Sequence, residues 1–142
     1  MRRLALVLVA VLVLAACGSG HRNSQSGPNA KAEITSAYEK FFSGKTSVSD
    51  RVALLQNGPK FRPVIEAFAS NPLAKNVSAS VSSVALKGAN NATVVYTVKL
   101  AGSGLPKQTG TAVRQNGKWK IGYASLCKLV SLQGTTPAAC KP

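Results

Sequence analysis

Acidic residues are scarce in this 142-residue chain: four Asp and Glu stand against 18 Lys and Arg, a formal charge of +14. Histidine occurs once, at His21, among Gly, Ser, Asn and Gln, where it reads as solvated filler. General acid-base catalysis, or a metal held by imidazole and carboxylate, would have to be built from very little. The acids are Glu33, Glu39, Asp50 and Glu66, all in segments that read as helix. No two stand where one would tune the other. Glu39 falls on the wet side of its helix beside Lys40, and Glu66, after Ile65, is expected to be partly covered. No G-x-S-x-G elbow occurs, so the many serines and threonines need no catalytic explanation. The expectation is a non-enzyme with no catalytic residue, metal or cofactor.

A membrane-spanning run is also missing. Apolar residues extend from Leu4 to Ala16 behind Arg2 and Arg3. About thirteen residues at ~1.5 Å rise reach only ~20 Å, short of a ~30 Å hydrocarbon core. The layout is that of a secretory signal, expected over residues 1–16. Leu14-Ala15-Ala16-Cys17 resembles the bacterial lipobox. That resemblance implies a mature chain starting at Cys17, with acyl groups on the sulfur and the new terminus. Two or three acyl chains, each contributing ~0.8 kcal/mol per buried methylene, hold a protein stably on a bilayer. The expected location is the extracytoplasmic face of the cell membrane, lipid-anchored, with some material secreted. Residues 17–29 carry no large apolar side chain and read as a flexible, lipidated tether.

Cysteine is scarce too, with three in all. In an exported chain the two beyond Cys17, Cys127 and Cys140, read as a disulfide that pins the C-terminal tail. Their spacing is not C-x-x-C, and no His or acid lies nearby to suggest redox or metal chemistry.

The excess of positive charge falls to about +12 once Arg2 and Arg3 leave and the terminus is acylated. In a cytosolic protein it would suggest nucleic acid. Here export argues otherwise, and the lysines are scattered singly with no arginine-rich stripe or stacking strand, so no nucleic-acid partner is expected. Anionic phospholipid or cell-wall phosphate is the expected counter-surface, at roughly 1 kcal/mol per lysine near a membrane.

The domain expected over residues 30–142 opens with helix signals. Ile34, Ala37, Tyr38, Phe41 and Phe42 lie on one helical face, and Gly44 follows as a stop. A second helix is expected with Ser49 as its N-cap, Asp50 in its first turn and Val52, Leu54 and Leu55 inward. A third carries Phe61, Val64, Ile65 and Phe68 and is broken by Asn71-Pro72. The period then changes to two. Val77, Ala79 and Val81 alternate with serines before the phase shifts to Val84 and Leu86, which predicts a bulge near Ser82 and Ser83. Ala92, Val94, Tyr96, Val98 and Leu100 share one face of the next strand. Asn116-Gly117 predicts a type I′ hairpin leading into a strand with Trp119, Ile121 and Tyr123 inward. A short closing helix is expected from about Leu126 to Leu132, capped by Ser125. The fold class is α+β: N-terminal helices packed on a curved antiparallel sheet of about four strands.

Signal, tether, aromatic first helix, the "LLQNG" segment and the strand ending "NGKWKIGYASLCKLV" together resemble the actinobacterial lipoproteins related to the mycobacterial low-molecular-weight secreted antigen. The resemblance covers roughly Ala30 to Leu132 and implies a cone like that of the nuclear-transport-factor and cystatin-like superfolds. Such a cone hosts enzymes and non-enzymes alike. It would enclose a cleft between first helix and sheet, with Tyr38, Phe41, Phe42, Phe68, Tyr96, Trp119 and Tyr123 as candidate walls. The expected function is a scaffold or protein-interaction module on the envelope, with a partner protein not identified by the sequence. The alternative is binding of a small apolar or lipid ligand in the cleft.

Overall fold

The computed structural model describes residues 27–142. The leader, Cys17, His21 and most of the expected tether lie outside the described residues. Helix α1 (Pro28–Phe42) begins inside the stretch expected as tether, because Pro28 sits in its first turn, where the missing N–H goes unneeded. Its Ala30, Ile34, Ala37, Tyr38, Phe41 and Phe42 are all buried, so the apolar stripe seen in the sequence is the face laid against the sheet.

Helix α2 (Val48–Leu54) is capped by Ser47, not Ser49. The Ser47 hydroxyl accepts the Asp50 N–H at 3.1 Å and donates to the Asp50 carboxylate at 2.7 Å. This reciprocal pair needs the acid three residues after the cap, which only Ser47 provides. A 3-10 turn (Gly58–Phe61) leads into α3 (Arg62–Ser70), where Ile65 is buried and Val64 and Phe68 are half-buried. Glu66 is exposed rather than covered and pairs with Arg62 at 3.7 Å. Asn71 ends α3 in an extended conformation before Pro72.

The sheet is antiparallel and curled, a half-barrel. Strands β1 (Val77–Lys87), β2 (Asn91–Leu100), β4 (Gln108–Gln115) and β5 (Lys118–Ile121) run in the order β1-β2-β4-β5, and the two-residue β3 (Ser103–Gly104) pairs with β2. The β1–β2 register shifts between Val81 and Ser83, so the bulge read from the phase change is present. Asn116 and Gly117 both have positive φ, 53° and 76°, as a type I′ turn requires. The open edge of β5 is covered by Leu55, which bridges Ile121, and by the Gln56 N–H bonded to the Ile121 carbonyl at 2.9 Å.

The end of the chain departs from expectation. Strand β5 stops at Ile121, and α4 (Tyr123–Ser131) starts three residues before Leu126 behind Gly122. Tyr123 is therefore not an inward strand residue: it is exposed and stacks on Phe61 with centroids 5.5 Å apart. Ser125 does not cap the helix. It is buried inside α4, where its Oγ accepts the Thr111 N–H at 2.9 Å and lies 3.2 Å from the Tyr38 hydroxyl. Tyr38 in turn donates to the Thr111 carbonyl at 2.7 Å. This knot joins α1, β4 and α4 beside Gly110, where any Cβ would stand 2.5 Å from the Tyr38 oxygen.

Candidate functional site

A cavity of about 300 Å³ lies between the helices and the sheet. Phe41 and Phe42 from the end of α1 form one wall, with Ile65 and Phe68 of α3. Val77, Val98 and Leu100 close the sheet side, and Leu126, Leu129 and Val130 of α4 face them. Leu105 and Leu132 also line it, and both are exposed, which places them at its rim. Most residues at the hollow are branched aliphatics and phenylalanines, whose side chains carry no polar atoms.

Two polar residues enter the lining, Arg51 and Gln133. Arg51 is only 2% exposed. Its Nη2 donates to the Ser43 carbonyl at 2.7 Å, and its guanidinium carbon stands 5.2 Å from the centre of the Phe68 ring, a cation–π contact. Its Nε and Nη1 have no hydrogen-bond partner. Desolvation by burial pushes its pKa down from the ordinary arginine value, yet a guanidinium stays charged in any protein. The one ion pair among the described residues is Arg62–Glu66 on the surface, so no carboxylate neutralises Arg51.

Three of the seven aromatic residues expected to wall a cleft, Phe41, Phe42 and Phe68, line this cavity. Tyr38 and Tyr96 pack together behind it, ring centroids 4.8 Å apart, and Tyr96 stacks on Phe42 at 5.5 Å. Trp119 is buried under the first half of α1, where its backbone N–H donates to Glu33 Oε1 at 3.1 Å. Tyr123 is on the surface. The residue that sequence reasoning passed over is Arg51. It stands with Val48, Val52 and Leu55 at i, i+3, i+4 and i+7, so a cation occupies the apolar stripe of α2. That intrusion was the available signal.

Cys127 and Cys140 are joined, with Cα atoms 5.5 Å apart. The bond fastens the last 3-10 turn (Ala138–Cys140) to α4. A second, broader groove of about 610 Å³ runs between that tail and α3, with Pro137, Ala138 and Ala139 on one side and Pro63, Val64 and Ala67 on the other. Of the acids, Glu39, Asp50 and Glu66 are exposed, and Glu33 is occupied by the Trp119 backbone. No group of three His, Cys, Asp or Glu is placed to hold a metal among the described residues. No helix among them is long and apolar enough to cross a membrane.

No curated protein matches the chain. Residues 27–137 match the family described as low molecular weight antigen MTB12, C-terminal domain, which spans most of the molecule and every strand of its sheet. The chain belongs to that family.

Proposed function

We propose that this domain is a non-catalytic binding module that takes a small apolar or lipid ligand into the cleft between its helices and sheet. The observation that carries this reading is the cavity itself, about 300 Å³ lined almost wholly by apolar side chains. Small-molecule sites begin at about this volume and have this kind of lining, with few polar groups to orient the ligand. An interaction scaffold needs no such hollow, since close packing is the ordinary state of a small core.

In the same reading the module is carried on the outer face of the cell membrane by acyl groups on Cys17. Its basic surface supplies a second attachment to anionic lipid or cell-wall phosphate. A ligand site held beside a bilayer suits molecules that partition there.

The test is organic extraction of protein purified from a host that lipidates it, followed by mass spectrometry, with a cavity-filling Val98→Phe variant as control. A co-purifying amphiphile is expected from the native protein and should be lost from Val98→Phe. Its repeated absence from native preparations, together with no uptake of a neutral fluorescent probe, would favour the protein-interaction scaffold instead.

A further inference from the structure

We infer that the ligand of the helix–sheet cavity is a single-chain amphiphile whose anionic oxygen head lies against Arg51, with its hydrocarbon along the apolar walls. The inference rests on the cavity being a ligand site, and names what enters it.

The cavity wall holds an uncompensated charge. Arg51 is 2% exposed, lines the cavity, and has no acidic partner among the described residues. Its Nε and Nη1 carry three of the five guanidinium N–H donors, and all three are unpaired. A buried ion with no counter-charge is strongly unfavourable, a burden usually relieved by a partner with good hydrogen-bond geometry. The Ser43 carbonyl and the Phe68 ring relieve part of it from one side and one face. The remaining donors call for a negatively charged acceptor, and charge-assisted bonds to such oxygens are the stronger kind.

Everything else about the cavity calls for hydrocarbon. Apart from Arg51 and Gln133 its lining is Phe, Leu, Ile and Val. Its volume, about 300 Å³, equals roughly ten groups of the ~30 Å³ that a water occupies. That room suits one hydrocarbon chain of moderate length. Direction follows from exposure: Arg51 is enclosed, whereas Leu105 and Leu132 at the rim are 40% and 65% exposed. The head therefore enters first and the tail runs outward over the rim leucines.

The test uses the full chain carrying Cys17→Ser, so that no acyl chain of its own competes, and displacement of a neutral fluorescent probe near neutral pH. Decanoate and decyl phosphate are compared with decanol, which has the same chain and no charge. At least one anion is expected to bind ten-fold or more tightly than decanol, and the tighter of the two identifies the head as carboxylate or phosphate. In Arg51→Met, checked for folding by thermal melting, the preference should vanish while decanol still binds. Equal affinity of all three for the native protein would overturn the assignment of the head and leave the cavity reading standing. If neither the probe nor any of the three binds, the cavity reading itself fails. A preference that survives in a folded Arg51→Met would also refute the inference, and the native comparison stands alone if that variant does not fold.

Discussion

Tyr38 and Tyr96 meet ring to ring in the centre of the core, and neither phenol can ionise there without moving a charge into apolar surroundings. Burial pushes Tyr96 up to about 12. Burial also raises Tyr38 well above the ordinary phenol range, against the opposing effect of its hydrogen bond with Ser125. The sign follows directly: the folded state prefers both rings neutral, whereas in the unfolded chain each titrates near ~10. Their contribution is therefore intact below about pH 10 and is withdrawn as pH climbs toward about 12. At ~1.4 kcal/mol per unit, Tyr96 alone accounts for on the order of 2–3 kcal/mol across that window. Urea midpoints measured from pH 9 to 12 should fall steeply above about 10, with a flatter decline in Tyr96→Phe. A native protein as stable at the top of that range as at the bottom would contradict the burial of this pair. Arg51 teaches the complementary lesson. Its place in the α2 stripe is written in the sequence, but a long cationic side chain at such a position normally reaches out to water. What holds it in is Phe68 from α3 and the Ser43 carbonyl after α1, contacts that no local periodicity reveals.

At the scale of elements, what the sequence expressed through local repeats emerges in the fold. The 3.6-residue stripe of α1, the two-residue alternation of β2, the phase slip of β1 and the Asn-Gly turn are each decided by neighbours a few residues apart. The departures occur where a distant partner outbids the local signal. Ser125 has the composition of a cap, yet the Thr111 N–H across the fold claims its hydroxyl, so α4 begins earlier and Tyr123 turns outward. The cavity was legible only as an expected cleft between helix and sheet, because its walls come from all three layers of chain order: α1 to α3, β1 with β2, and α4. The disulfide belongs to this scale as well. It ties α4 to the final turn over a separation of 13 residues, and α4 forms part of the cavity wall. A loop of that length contributes about 3 kcal/mol in the chain-entropy treatment. Replacing Cys127 and Cys140 together by serine should lower Tm by on the order of 10 °C in calorimetry and loosen the tail, while the sheet persists. An unchanged Tm would mean that the tail is held by packing alone.

For the molecule as a whole, charge and greasy interior lead to one physical picture and to a measurable consequence. With 18 basic and four acidic residues in the chain, its surface carries a large positive excess. Much of that charge stands on exposed lysines dispersed over the domain, such as Lys31, Lys60, Lys75, Lys107, Lys118 and Lys128. Dispersed charge attracts a surface rather than a shaped partner, and the attraction is screened over ~10 Å at 0.1 M salt and ~3 Å at 1 M. The acyl groups proposed on Cys17 would, by contrast, hold through the hydrophobic effect, which salt does not weaken. The two attachments should therefore separate cleanly in a sedimentation assay. The chain carrying Cys17→Ser is expected to co-sediment with vesicles rich in anionic phospholipid at about 10 mM salt, to be released by about 1 M, and to ignore vesicles of neutral phosphatidylcholine. The acylated protein is expected to stay with both kinds of vesicle throughout. If the serine variant remains in solution with anionic vesicles at low salt, the charge has no part in attachment.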